Sequence, residues 1–530
     1  MPNFQVWKLG VFLLTINRKK VIILMLNLFK RNEEDAKLKK IFVTVIMLVL
    51  VVNLLSACKD NSKQYFEDDY NNYISNTESS NSTSTDTTIS NNSSTVAPIP
   101  NTNSSQTSSE TSSQIKLQPH ELPNYNLNTD YVRDQKQEHR FVKKMSFATK
   151  QDYDGYLSSL IKDGFTKYDE NKIGDNLFTT LIKKTTFVSI SYTPGNKALK
   201  IISEPLGDLY PRKSENKYKS QNIQSLFTGM KGENSTASSG LGFIIRLDDG
   251  SFIIIDGGGG DYNSVDSNKL MKILRDQSPA GTEKPVIAAW IFTHCHDDHI
   301  GVFNAFSKDF HKEVIIESFY YNFPTEEALQ IAAKFMFTDK YYGYNQFKDC
   351  MNYYQQATTI RPHAGERYYI RNAVIEVLFS YEDLFPDSIE NGGAKDLNES
   401  SLIFTVEIGG QKMMITGDVD AKGMNFATRN YGNYLKCDIL QMSHHGQNGT
   451  VEFYSLVNPT YAILPVSYTI PSRFTYNDAN RWLVNSKNVR QFIEFGRSNV
   501  TFPLPYNPSD ADIYDRVPTQ NTIYKIYPLH

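Results

Sequence analysis

Short apolar runs broken by Gly, Asp and Asn recur through the second half of this chain. Gly242-Phe-Ile-Ile-Arg-Leu247 and Ser251-Phe-Ile-Ile-Ile255 flank Asp248-Asp249-Gly250, a pattern that predicts a β-hairpin. Val286 to Phe292 reads as a further buried strand. Single strands are then expected over Tyr369 to Leu378, Ser401 to Ile408 and Lys412 to Thr416. Helix-like stretches lie between them, so residues 221–530 are expected to form stacked layers of sheet and helix, an α/β (α+β) architecture. Residues 121–220 have a pattern of their own. Tyr153 to Ile161 has helical apolar spacing, Asn176 to Ile182 and Thr186 to Tyr192 alternate like strands, and Ala198 to Ile202 follows. This is the signature of a small α+β module. It holds no cluster of His, Cys or paired carboxylates, and its expected role is to pack on the main domain or position it.

The N-terminal part is different. Lys37 to Lys40 is basic, Ile41 to Leu55 is almost wholly apolar, and Leu55-Ser-Ala-Cys58 closes the run. The order is that of an export signal, and the apolar run is shorter than the ~20 residues that span a bilayer. Its ending resembles a bacterial lipobox. Residues 1–58 are therefore expected to be a signal peptide, with lipid on Cys58 tethering the chain to the extracellular face of the cell membrane. Met25 would make a better start for such a signal than Met1. Residues 59–120 are dominated by Ser, Thr and Asn and offer little to bury, which predicts a disordered tether.

Composition narrows the partners. The 55 basic and 58 acidic residues leave a net charge of −3, so nothing steers the chain strongly towards nucleic acid or anionic lipid. Arg473, Arg481 and Arg497 are the candidates for a basic groove, and plain surface charge is the better reading of them. The four cysteines, Cys58, Cys295, Cys350 and Cys437, make no disulfide framework.

The chemistry concentrates at one strand end. After Phe292-Thr293 come His294, His296, Asp298 and His299, and only ten histidines occur in the whole chain. Imidazole nitrogens and carboxylates suit zinc-like divalent ions. Downstream, Thr416-Gly-Asp418 and Ser443-His-His-Gly446 each follow a strand, so Asp418 could bridge two ions and the His pair could add a ligand. Asp256, in Ile255-Asp-Gly-Gly-Gly259, fits the orienting of a ligand better than ligation. Cys295 is expected to pack away from the metals.

The order Asp256-Gly-Gly, Thr293-His-x-His-x-Asp-His, Gly417-Asp418, His444-His-Gly446 resembles the metallo-β-lactamase superfamily over about residues 225 to 505. The resemblance implies an αββα sandwich with a two-metal site at one edge. Carried over by motif, His294 and His296 hold one ion, Asp298 and His299 the other, and Asp418 bridges. The Asn398-Glu-Ser-Ser-Leu402 segment and the His-His-Gly step resemble the branch with competence proteins of the ComEC type and choline-phosphate esterases. That branch implies His445 as a ligand and His444 as the substrate-side residue, with a swap left open. Zinc is the first choice of ion, and manganese or iron would also fit. Many members carry a further ligand His after the strand that here ends in Phe379-Ser-Tyr381, and none stands there. His311 and His363 are the histidines of that interval, and His363 reads as a loop residue.

The resemblance implies hydrolysis by an activated water, with Asp298 and His444 as the catalytic side chains. A phosphodiester in a small molecule or surface polymer is the leading substrate class. Amide, lactam, lactone or thioester hydrolysis is the alternative, and a metal-containing binding module is the non-enzymatic one. The aromatic segment from Ser318 to Tyr354 could line a pocket for a quaternary ammonium, although ordinary packing is the better reading.

Overall fold

The computed structural model describes Leu122, Leu127 and residues 129–509, except 136–137, 233–240, 259–263, 337–339, 390–395, 466–476 and 497. The expected signal with Cys58, the tether 59–120, Arg473 and Arg497 lie outside the described residues.

The N-terminal module is one antiparallel sheet with a helix on one face. Its strands are β1 (Tyr131–Gln135), β2 (Arg140–Ser146), β3 (Thr166–Ile173), β4 (Asn176–Lys183), β5 (Thr186–Thr193) and β6 (Ala198–Pro205), in the order β1-β2-β6-β5-β4-β3. Helix α1 (Lys150–Lys162) starts at a capping box between Thr149 and Asp152. Tyr153, Tyr156 and Leu160 then bury against Leu181, Val188, Ile190, Leu199 and Ile201. Strands β1, β2 and β3 escape the apolar pattern because they are rich in Lys, Arg, Asp and Glu.

The second sheet begins with β7 (Leu226–Gly229), β8 (Gly242–Arg246), β9 (Phe252–Asp256) and β10 (Val286–Ile291). It continues through β11 (Ile315–Ile316), β12 (Ser318–Tyr320) and β13 (Thr358–Ile360). The β8–β9 hairpin is antiparallel, whereas β9, β10, β12 and β13 run parallel. Helices α2 (Val265–Gln277), α3 (Asp297–Phe310), α4 (Glu326–Met336) and α5 (Lys340–Met351) connect the strands of this sheet.

The third sheet holds β14 (Arg367–Ile370), β15 (Ala373–Phe379), β16 (Ile403–Ile408), β17 (Gln411–Ile415), β18 (Ile439–Gln441), β19 (Tyr461–Leu464) and β20 (Gln491–Glu494), in that spatial order. Its helices are α6 (Ala421–Tyr431), α7 (Val451–Val457) and α8 (Asp478–Asn485). The last strand, β21 (Val500–Pro503), returns to pair with β7. One expectation needs correcting. The single strand over Tyr369 to Leu378 is the β14–β15 hairpin, because Arg371 takes a left-handed φ of 54° and turns the chain.

The alternation along the strands builds the layers. Ile253 and Ile255 of β9 share a core with Val377, Phe404, Ile415, Ile439 and Ile463 of the facing sheet. Phe252 and Ile254 face the other way, with Leu274, Trp290, Phe303 and Phe306. On the third sheet Met414, Leu440 and Ala462 pack on Met424, Phe453 and Leu483. Helices thus cover both outer faces of two stacked sheets, an αββα sandwich. The aromatic segment supplies packing, since Phe319, Phe323, Phe347 and Tyr354 join the outer core around Trp290.

Module and sandwich fall in one compact unit. Their contact is part apolar, with Val142 and Ile202 beside Tyr381 and Phe385 and with Phe178 beside Leu378 and Phe379, and part ionic. Lys200 pairs with Asp383, and Arg140, 1% exposed, pairs with Glu382 and with Glu204 at 3.1 Å. His363 sits between Glu382 at 2.8 Å and Glu204 at 3.0 Å. Burial alone would raise the Glu204 carboxyl, but His363 and Arg140 beside it hold it down at about 2. Arg140→Met should cost about 3–5 kcal/mol, because it strands two buried carboxylates. Urea unfolding of the variant against the parent chain measures this.

Candidate metal centre

Strand β10 delivers Phe292 and Thr293 to the sheet edge, and His294 to His299 follow as a loop running into α3. His296 stands at the N-cap of α3, with Asp297 and Asp298 in its first turn, where the helix dipole favours carboxylates. Asp418 and His445 arrive from the opposite sheet, after β17 and β18. Gly417 makes this approach feasible. Its φ is 52°, and a Cβ there would lie 2.8 Å from Thr293 Cβ.

Two donor sets meet at Asp418. His294, His296 and Asp418 form one, and Asp298, His299, Asp418 and His445 the other, with the donor atoms of each set all within 4.8 Å of one another. His294 Nε2 lies 3.0 Å from His296 Nδ1. Asp418 Oδ2 lies 3.2 Å from His299 Nε2 and 3.4 Å from His445 Nε2, and Asp298 Oδ2 is 3.2 Å from the same His445 nitrogen. His299 Nε2 and Asp418 Oδ1 are buried with no hydrogen-bond partner. Buried polar atoms are rarely left so; with His299 Nδ1 turned to Asp256, Nε2 can offer a lone pair as the carboxylate oxygen does, and a cation accepts both.

The outer faces of these side chains are fixed. Asp256 ends β9 with a left-handed φ of 54°. Its carboxylate accepts from Thr293 N and Thr293 Oγ1, each at 2.7 Å, and holds His299 Nδ1 at 2.8 Å. His294 Nδ1 lies 3.1 Å from Thr293 Oγ1. His296 Nε2 faces Asp396 Oδ1 at 3.5 Å. Asp396 was not legible in the sequence, because it stands in a loop with no periodicity. Its proximity to Asn398 is the one signal there.

His444 lies outside both donor sets. Its Nε2 is 3.7 Å from Asp418 Oδ2, its side chain is 24% exposed, and Asn398 Nδ2 lies 3.4 Å from its Nδ1. His444 and His445 both have left-handed φ, 50° and 52°, so the turn splits the pair in direction. Of the two, the geometry gives His445 to the ion set and leaves His444 at the open side.

At the end of β15, Ser380 N donates to Asp383 Oδ2 at 2.9 Å, and no histidine occupies the turn. His363 is a loop residue as expected, but buried and spent on the module contact. His311 stacks on Tyr353. Cys295 is fully buried in the outer core. Arg481 pairs with Asp478.

Charge balance follows from these contacts. Burial pushes the His294 imidazole well down, leaving it neutral and ready to ligate. Burial would lower His299 too, but Asp418, Asp256 and Asp298 hold it well above its ordinary value. His299 and His445 in turn outweigh burial at Asp298 and Asp418 and keep both ionised.

Residues 236–453 match the model of the Metallo-beta-lactamase superfamily. The chain is 35% identical over 75 residues to Competence protein ComA of Neisseria gonorrhoeae, a match covering 14% of this chain and 11% of that protein. It is 35% identical over 69 residues to the ComE operon protein 3 of Bacillus subtilis (strain 168), covering 13% and 9%. The chain thus spans only about a tenth of these curated relatives. Among solved structures, the metallo-beta-lactamase fold protein YhfI from Bacillus subtilis aligns with a TM-score of 0.31 and 10% identity, covering 53% of this chain and all (100%) of that one.

Asp396→Ala should weaken one of two bound ions by about 10–100-fold, because the ring of His296 loses its outer partner. Asp396→Asn keeps an acceptor and should lose less. Metal content after graded chelation reads both variants.

Burial would lower His445, but Asp418 and Asp298 raise it from 6.5 to about 9. Protons therefore compete with the ion, and affinity should climb with pH up to about 9. The same raised group stabilises the metal-free fold below about 6.5, and that contribution fades as pH rises through about 9. Chelator competition and melting of the metal-free chain across this range check both signs.

Proposed function

We propose that this chain is an extracellular, membrane-tethered hydrolase of phosphodiesters that works with two divalent ions, zinc foremost. One observation carries the reading: two donor sets share the buried Asp418, with His444 standing free of both at the open side. His294 and His296 would hold one ion, Asp298, His299 and His445 the other, and Asp418 both. Ions bound there would supply a nucleophilic water at neutral pH and offset charge on the phosphoryl oxygens.

The chain's own groups do the rest. Asp256 keeps the His299 ring turned with Nε2 inward. Asp396 does the same for His296 from the other side. Asn398 steadies His444, whose imidazole can donate to a substrate oxygen or pass a proton to the leaving group. Burial lowers the His444 pKa, although Asp418 opposes this, so the ring has a neutral form for proton exchange near neutral pH.

The local likeness to two competence proteins supports the branch. Cys58 after its apolar run supports a lipid tether. Among the described residues Arg481 is engaged by Asp478, which favours a small or surface-polymer phosphodiester over a duplex nucleic acid.

Bis-p-nitrophenyl phosphate should be turned over, and Asp298→Ala should abolish this. His444→Ala should lower kcat about 100-fold or more with metal content unchanged. Hydrolysis of nitrocefin or a lactone without any phosphodiester turnover would move the chain to the amide and lactone class. Tight metal binding without turnover of any of these would make it a binding module.

A further inference from the structure

A cavity of about 230 Å³ lies between the module and the sandwich. Arg140, Phe187 and Tyr210 line it from one side, and Tyr321, Arg361 and Glu366 from the other. None of the residues of the metal centre contributes to it.

Glu366 is the anomaly in its wall. The side chain is buried, at 4% exposure. One oxygen, Oε2, accepts from His363 N at 3.0 Å and from the Tyr368 hydroxyl at 2.7 Å. The other, Oε1, has no hydrogen-bond partner. The two guanidinium groups of the wall are committed elsewhere. Arg140 is held by Glu204 and Glu382, and Arg361 Nη1 donates to Glu138 at 2.9 Å. Three carboxylates, Glu138, Glu204 and Glu382, therefore meet two guanidiniums and the His363 ring, whose two nitrogens face Glu382 and Glu204. Those groups balance without Glu366, so its charge would stand alone once ionised, and Phe187, Tyr210 and Tyr321 in the same wall are rings of the kind that attract cations.

We propose that this cavity is a binding site for a small primary amine, whose ammonium group donates a hydrogen bond to Glu366 Oε1. The volume is below the ~300–1,000 Å³ of most ligand pockets, which suits a small amine or a single head group. An oxygen needing a donor selects an ammonium with N–H bonds over a quaternary one.

Proton balance makes the site testable. Burial pushes the Glu366 carboxyl up to about 8, so it is largely protonated at neutral pH when the cavity is empty. The groups facing it are Tyr368 on β14, Asp169 on β3, and Glu204, Tyr210 and Arg140 of the module side. Binding replaces the acid proton by the ammonium, so R–NH₃⁺ and the carboxylic acid give the ammonium–carboxylate pair and one released H⁺.

Calorimetry of the full chain with ethylammonium chloride tests the inference, run near pH 7 in two buffers of different ionisation heat. Saturable binding with net proton release is expected. Tetramethylammonium should bind about tenfold or more weakly, since it cannot make the charge-assisted hydrogen bond. Glu366→Gln should remove proton release and most of the affinity while its melting curve stays cooperative. No binding, binding without proton release, equal binding of tetramethylammonium, or unchanged binding by Glu366→Gln would each overturn the assignment. The first three readings use the unaltered chain and do not depend on how the variant folds.

Discussion

The structure depends on one constraint: two sheets must press together closely enough for Asp418, from one, to reach the histidine loop of the other. Stacked sheets sit ~10 Å apart, and the apolar faces of β9, β10, β16 and β17 set that spacing here. At the edge the approach is pinned by direct bonds. Leu402 N donates to Thr293 O at 3.1 Å, and Asp418 N donates to Ser401 Oγ at 3.1 Å. Remove the gap left by Gly417 and the carboxylate cannot come between the imidazoles. The site is therefore a product of core packing as much as of its own side chains.

The module extends the same logic with buried charge added to apolar area. Its helix-covered face is oily, while the face towards the sandwich mixes Val142, Phe178 and Ile202 with Arg140, Lys200 and Glu204. Arg140 and Lys200 reach the turn after β15, where Tyr381, Glu382 and Asp383 receive them, and Glu204 meets His363. That turn stands where many relatives place a further histidine. Here the position belongs to the contact between module and sandwich, and Asp396 supports His296 from a different loop. A buried ionic contact adds little net stability over an apolar one, yet it tolerates few alternative arrangements. It also leaves a wall of mixed charge, in which Glu366 is the unbalanced member.

Much of the sandwich was legible in the sequence because apolar alternation and turn residues are local. The β8–β9 hairpin, β10 and the ends carrying His294 and Asp418 fall where the pattern puts them. The β14–β15 turn was not: Arg371-Asn372 part Tyr368-Tyr-Ile370 from Ala373-Val-Ile375, but the reversal itself rests on one left-handed residue anchored to Asp249 and Glu317. The charged strands β1 to β3 were equally silent, because Lys, Arg, Asp and Glu break their apolar alternation.

The sequence by itself determined the kind of chemistry: a dense His and Asp loop after a buried strand, an aspartate after another, and a histidine pair after a third. Those features need only local order. Tertiary structure decided the assignments. It set His445 between Asp298 and Asp418 and left His444 outside both donor sets, because two consecutive left-handed residues swing the rings apart. It brought Asp396 to His296 and spent His363 on the module. Each outcome rests on contacts between residues far apart along the chain, and no spacing along the sequence encodes those distances.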